Sequence, residues 1–238
     1  MEANCPHNST IHCGDCRMNA LCLPIALQVH EIDKLNDIVE RGRPLQKGDH
    51  IYYAGEAFKS IYAVRSGAIK GFTVNNEGIE QVTGFYLPGE IFGMDGIGHP
   101  NHLNSAIALE TSAICEIPFS RMEELSIQIP SLQRHFFSLM SREITNDQQL
   151  ITMLSKNSAE ERIATLLTSI SARNARRSLS GSRFRLPMSR ADIGNYLGLT
   201  VETVSRVFSR FQKQQLLIVD KKEIEILHLD KLKAMANT

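Results

Sequence analysis

The sequence holds no apolar run long enough to span a bilayer and no basic-plus-apolar leader at its N-terminus. A cytoplasmic chain with no membrane attachment is therefore expected. No strand-like run is followed by Gly-x-Gly-x-x-Gly, so the rival reading of an electron carrier or redox enzyme lacks support. We expect no catalytic residues. There is no net charge, since 26 Lys+Arg stand against 26 Asp+Glu. The five cysteines are an odd number, which in a reducing compartment argues against a disulfide framework. Asn8-Ser9-Thr10 fits the glycosylation pattern but means nothing without secretion.

What is present is an ordinary globular composition, 42% hydrophobic and 22% charged over 238 residues, enough for two modest domains. The zero net charge hides an asymmetry. Residues 1–154 carry 11 Lys+Arg against 18 Asp+Glu, whereas residues 155–238 carry 15 against 8. A basic C-terminal part is the electrostatic footprint of polyanion binding.

The local patterns divide the chain. Residues 1–24 are rich in Cys, Asn and His without periodicity and read as an irregular segment that something else must order. Residues 28–41 predict a helix with Val29, Ile32, Leu35, Ile38 and Val39 inward. From about 44 to 118, short apolar runs such as Ser60–Val64 and Ile69–Val74 alternate with glycines, the pattern of a small β-barrel or roll. After Pro130 a long helical stripe of Met140, Ile144, Ile151 and Leu154 calls for a partner helix, most simply that of a second copy. Asp147 interrupts this seam. Paired across a dimer, its carboxylates would repel, giving a deliberately weak dimer; alternatively it only edges the seam in solvent. Residues 159–175 predict another helix with Ile163, Leu166, Leu167 and Ile170 inward, and 176–187 a loop or short hairpin.

Ser189-Arg190-Ala191-Asp192 carries a capping signature, Gly198-Leu199-Thr200 reads as a turn, and a second helix runs from Val201 to about Lys213. Val204, Val207, Phe208 and Phe211 form its inner stripe; Glu202, Ser205, Arg206 and Ser209 share the opposite face. This is a helix-turn-helix whose polar face suits the major groove of double-stranded DNA. Arg can donate twice to guanine, Glu can accept from cytosine, and Ser can serve either role.

Cys13-x2-Cys16-x5-Cys22 and the remote Cys115 offer four thiolates, suited to an iron–sulfur cluster or to tetrahedral zinc. Structural zinc usually draws on two close pairs. One pair, a third Cys and a distant fourth favour a cluster and leave zinc open. Cys5 reads as a spare thiol; His7 and His12 are secondary candidates, more simply solvated.

Ile11-His12-Cys13-Gly14-Asp15-Cys16 through Leu21-Cys22-Leu23-Pro24, together with Asp192 to Arg206, resembles the FNR proteins, oxygen-responsive bacterial regulators of the CRP/FNR superfamily. Leu45–Gly48, Arg65-Ser66-Gly67 and Ala159–Arg162 extend the similarity along nearly the whole chain. The resemblance implies an α+β chain with a cyclic-nucleotide-binding-type β-roll, a long dimerisation helix and a C-terminal winged helix-turn-helix. It implies a Cys-rich cluster-binding segment over 1–27, a roll over 28–129, the dimerisation helix over 130–157 and the DNA-binding domain over 158–238. It further implies a [4Fe–4S] cluster on Cys13, Cys16, Cys22 and Cys115, converted by oxygen to [2Fe–2S]. The loaded homodimer would bind inverted TTGAT-type half-sites through Glu202, Ser205 and Arg206, work with RNA polymerase as activator and repressor of anaerobic metabolism genes, and separate at Asp147 when the cluster is lost.

Two departures stand out. Cyclic-nucleotide-binding relatives hold the phosphate with an Arg-Ser/Thr-Ala motif; Asn104-Ser105-Ala106 stands in its place, so no cAMP response is expected. Arg17 follows Cys16 where relatives often carry a small residue, and a cation there would tune the cluster's oxygen lability.

Overall fold

The computed structural model describes residues 11–236. Cys5, His7 and Asn8–Thr10 lie outside the described residues. Two compact units divide at Glu143 and Ile144.

The first unit opens with two short 3₁₀ turns, Cys13–Asp15 and Leu23–Ala26, followed by helix α1, Val29–Ile38. Seven strands follow: β1 His50–Tyr52, β2 Ser60–Ser66, β3 Ile69–Val74, β4 Glu80–Tyr86, β5 Ile91–Phe92, β6 Ser105–Ala108 and β7 Ala113–Pro118. They form two antiparallel sheets, ordered β1-β6-β3-β4 and β5-β2-β7. Helix α2, Phe119–Gln128, and the 27-residue α3, Pro130–Lys156, complete the sequence of elements to the boundary, which falls inside α3.

Strand β2 explains how this unit is layered. Successive side chains point to opposite faces. Tyr62 and Val64 enter the roll interior with Tyr52, Ile69 and Phe92, while Ile61 and Ala63 face a second core with Leu23, Leu35, Met122, Leu132 and Phe136. A strand buried on both faces needs a continuous apolar run, which Ile61–Val64 supplies. β7 lies beside it with Ala63 opposite Cys115, so Cys115 joins the helix-side layer.

The structure modifies three sequence expectations. The N-terminal segment, expected to await an external organiser, is packed from Ile11 onward. Leu23 is 1% exposed in the helix-side core, and the Cys13 N–H donates to Asn36 Oδ1 at 3.1 Å. Helix α1 is shorter than the periodicity suggested, because the chain turns extended at Val39 and Glu40 pairs with Glu116 at the sheet edge. Val29, expected inward, is 85% exposed at the first turn of the helix. Helix α2 was not anticipated at all.

The second unit contains α4 Ala159–Arg176, β8 Arg183–Arg185, α5 Arg190–Leu197, α6 Val201–Lys213, β9 Leu217–Asp220, β10 Glu223–Ile226 and α7 Leu229–Ala236. Ile163, Leu166, Leu167 and Ile170 of α4 are buried, as are Val204, Val207, Phe208 and Phe211 of α6. The three strands form an antiparallel sheet in the order β8-β10-β9, so the Ser- and Arg-rich stretch before α5 contributes a sheet strand. Among the described residues no helix is long and apolar enough to cross a membrane.

Candidate functional site

Cys13, Cys16, Cys22 and Cys115 are free thiols, and all four line one cavity in the first unit. Three arrive on the turns before α1 and the fourth on β7. Local bonds shape the first three: Gly14 N–H donates to His12 Nδ1 at 3.1 Å, Asn19 Nδ2 donates to the Gly14 carbonyl at 2.8 Å, and Cys22 N–H donates to the Met18 carbonyl at 2.9 Å. His12 also meets Asp33 through Nε2 at 3.2 Å, so both its ring nitrogens are engaged away from the thiols.

The rest of the cavity is apolar, with Leu23, Leu35, Val39, Ala63, Val64 and Ile117, apart from Asn19 and two arginines, Arg41 and Arg65. Arg41 donates to the Val39 carbonyl at 3.2 Å, to Asn36 Oδ1 at 2.8 Å and to Cys13 Sγ at 3.0 Å. Burial pushes the Cys13 thiol from 9.0 up to about 11; Arg41 opposes the rise, and Cys115 and Cys16 add to it. Burial likewise raises Cys22 and Cys115. These thiols are therefore protonated at neutral pH and must release protons to any metal they bind. Among the described residues no three His, Cys, Asp or Glu side chains converge as ligands of a single ion. Four thiols set around a cavity with two guanidinium groups suit an anionic group larger than one ion. Arg17 is exposed and does not line the cavity.

In the roll interior Tyr52 stacks on His102, with ring centroids 3.8 Å apart, and on Tyr62 at 5.4 Å; Phe92 stacks on Tyr62 at 5.4 Å. In the stretch Asn104-Ser105-Ala106, the Ser105 hydroxyl accepts from Ala54 N–H at 2.9 Å, and Asn104 N–H donates to Asp95 at 2.7 Å.

In the second unit, Ser189 caps α5 in a reciprocal box: Asp192 N–H donates to Ser189 Oγ at 3.1 Å, and Ser189 N–H donates to Asp192 Oδ2 at 2.9 Å. Gly198 ends the helix with φ 63°, the left-handed conformation that Gly adopts at little cost. A Cβ on Gly194 would lie 2.6 Å from the Leu199 carbonyl oxygen, so this tight corner admits no side chain there. Thr200 caps α6 by accepting from Thr203 N–H at 3.2 Å. Arg190 lies over the Phe208 ring, 3.4 Å from its centroid, tying the two helices together. Glu202, Ser205, Arg206 and Ser209 are all exposed on the outer face of α6.

Residues 161–235 match the Crp-like helix-turn-helix domain family, and residues 42–128 match the cyclic nucleotide-binding domain family. The transcriptional activator protein Anr of Pseudomonas protegens is 52% identical over 230 residues, covering 97% of this chain and 94% of that one. The fumarate and nitrate reduction regulatory protein of Escherichia coli K12 is 50% identical over 226 residues, covering 95% and 90%. The chain belongs to the CRP/FNR family of transcription regulators. The solved structure of FixK2 from Bradyrhizobium japonicum agrees in fold with a TM-score of 0.76 at 28% identity, over 83% of this chain and 97% of that one. The family match identifies a DNA-binding regulator built from a cyclic-nucleotide-binding-type roll, long helices and a C-terminal helix-turn-helix, and its members named here are regulators rather than enzymes.

On the long helix of this CRP/FNR chain, Ile144 and Ile151 are 57% and 66% exposed, Asp147 is exposed, and Met140 and Leu154 are half-buried. Sequence reasoning missed Phe137, 60% exposed and one heptad before Ile144. The seven-residue spacing was its signal. It also missed the roles of Arg41 and Arg65 on the cysteine cavity, for which the sequence offers no local sign.

Proposed function

We propose that this chain is a global, oxygen-responsive transcription regulator that holds a [4Fe–4S] cluster on Cys13, Cys16, Cys22 and Cys115. In the loaded form it dimerises and binds inverted repeats of TTGAT-type half-sites to control genes of anaerobic metabolism. The observation that carries this reading is the gathering of four free thiols, from two distant parts of the chain, around one cavity that also holds two guanidinium groups. The FNR and Anr names of the half-identical relatives point the same way.

When bound, the cluster supplies an iron–sulfur centre whose lability to oxygen is the signal. Three thiols from the N-terminal segment and one from β7 would release their protons on binding and tie that segment to the roll, so binding free energy becomes available only to the loaded form. The exposed stripe of Phe137, Ile144 and Ile151, with Met140 and Leu154 beside it, is where α3 of a second copy would pack. Asp147 in that stripe keeps the cluster-free chain apart by carboxylate repulsion. Two α6 helices about 34–36 Å apart would then meet successive major grooves, where Glu202, Ser205, Arg206 and Ser209 reach base edges. RNA polymerase is the partner through which a bound regulator of this kind acts. No response to cyclic AMP is expected, because Asn104 stands where cyclic-nucleotide-binding relatives carry the Arg that holds the phosphate. The cytoplasm is the compartment in which such a regulator meets DNA.

The test is an absorption spectrum of anaerobically purified protein, with iron and sulfide assayed before and after air. Brown, sulfide-containing protein that bleaches in air supports the sensor. Colourless, air-indifferent protein containing zinc leaves the regulator and removes the oxygen switch.

A further inference from the structure

Arg65 is 8% exposed, and its Nε, Nη1 and Nη2 are buried without a hydrogen-bond partner. A guanidinium carries five N–H donors in a rigid fork and does not lose its charge at any physiological pH. Burying one unpaired is among the costliest arrangements a fold can hold. By contrast, the buried Lys70 meets Glu80 at 2.7 Å, and the half-buried Arg41 on the same cavity donates to Val39, Asn36 and Cys13.

The placement of Arg65 follows from the sheet. β2 sends Ile61 and Ala63 to the helix side, and Ala63 stands opposite Cys115 on β7. The ladder slips between Val64 and Ser66, so Arg65 sits at a bulge, a device that re-aims a side chain without breaking the strand. The result is a guanidinium lining the same cavity as Cys115. No Asp or Glu is among the residues that line this cavity. Among the described residues the protein itself therefore offers the guanidinium of Arg65 no hydrogen-bond partner and no carboxylate on the cavity wall. Four thiolates around an iron–sulfur group are an anion.

We propose that Arg65 is the counter-charge of the bound cluster, donating N–H groups toward its sulfur on the Cys115 side and holding the iron in place. This rests on the cluster reading above. Arg65 is no ligand; it stabilises the loaded state through charge and hydrogen bonding, at the expense of the cluster-free one.

That trade gives the test opposite signs in two states. Full-length Arg65→Met and Arg65→Lys proteins are compared with wild type, cluster-free by thermal unfolding, and loaded by the rate of iron transfer to a ferrous chelator under argon with sulfide assayed alongside. Cluster-free Arg65→Met should melt at or above the wild-type temperature, because it removes an unpaired buried charge. The same protein, loaded, should lose iron about 10- to 100-fold faster, the range seen when partners beyond the ligands are removed. Arg65→Lys, which keeps the charge without the fork, should fall between. Cluster-free Arg65→Met that melts well below wild type would make Arg65 a structural residue with a protein partner and overturn the proposal. So would iron loss at the wild-type rate. Wild-type protein holding neither iron nor sulfide would instead remove the cluster reading itself, before any variant is compared.

Discussion

Two arginines show how differently the halves of this molecule are built. Arg162, in the second unit, donates Nε to the Asn157 carbonyl at 2.9 Å, Nη1 to Leu197 at 2.8 Å and Nη2 to Leu154 at 2.8 Å. It closes the C-terminal ends of two helices, where carbonyls lack intrahelical partners and the dipole favours a cation. Arg65, in the first unit, has a comparable fork and no partner for it. The DNA-reading corner is complete in the chain alone, with both helices capped, the turn closed and the polar face exposed. The cysteine cavity leaves the Arg65 guanidinium without a hydrogen-bond partner among the described residues. On the proposed function, a preformed reader beside a cavity completed by a cluster is what a switch requires: the signal would have to change the one without rebuilding the other.

The sharpest way to break this contrast is to remove a thiol. Cys115→Ala should abolish iron and sulfide binding and drop anaerobic DNA affinity toward the non-specific level, a loss on the order of 10³-fold or more. The unfolding of the second unit should be unchanged, because no bond of its corner involves Cys115. Iron content and a DNA-binding isotherm check the first two outcomes. Hydrogen exchange over Arg190–Lys213 checks the third.

Asp147 tests whether the output of the proposed sensor is dimerisation. Two carboxylates about 4 Å apart repel by about 1–4 kcal/mol between bulk-water and near-surface screening. Asp147→Ala should therefore let the cluster-free chain dimerise, read by sedimentation in air. The pH dependence carries the same sign. Partial desolvation on the helix surface raises this carboxyl above its ordinary 3.8, so it protonates earlier than a fully solvated Asp as pH falls. Cluster-free wild type should accordingly gain dimer on mild acidification, whereas Asp147→Ala should not respond. A wild-type chain that stays monomeric on that descent while the fold persists would sink the repulsion argument.

Arg206→Ala probes the reader alone. It should cost about 1–3 kcal/mol at one base pair of each half-site and relax selectivity there. Iron content and dimerisation should be untouched. Selection from randomised half-sites would locate the relaxed position, and an unchanged preference would move base reading elsewhere on α6.

What could be read from the sequence follows the same division. The helix-turn-helix was legible because its determinants are local: Ser189 and Asp192 are three residues apart, Gly198 must turn, and the inner stripe of α6 repeats at helical spacing. The strands of the roll announced themselves through glycines between apolar runs. Arg65 did not, because its meaning depends on a register pairing β2 with β7, about fifty residues away, and on a bulge that no spacing reveals. Val29 failed for a related reason. Apolar periodicity marks one face of a helix, but the first turn of α1 extends past the layer it packs on. The four cysteines were visible as donors, yet only the fold brings Cys115 to the other three.

The smallest effect tests how complete the reader is. Ser189→Ala removes the hydroxyl that accepts from Asp192 N–H and leaves an uncapped donor at the start of α5. The expected cost is about 1 kcal/mol of stability. The Asp192 carboxylate still accepts from the residue 189 N–H, so half of the reciprocal box survives. If the corner is preformed, this loss should appear in the melting of the second unit and not in DNA affinity at a temperature where the unit is folded. A parallel fall in both would mean that α5 and α6 are held in the reading geometry only marginally, and that DNA itself completes the corner. The same substitution should leave the rate of cluster loss in air unchanged, since the cavity draws none of its bonds from α5.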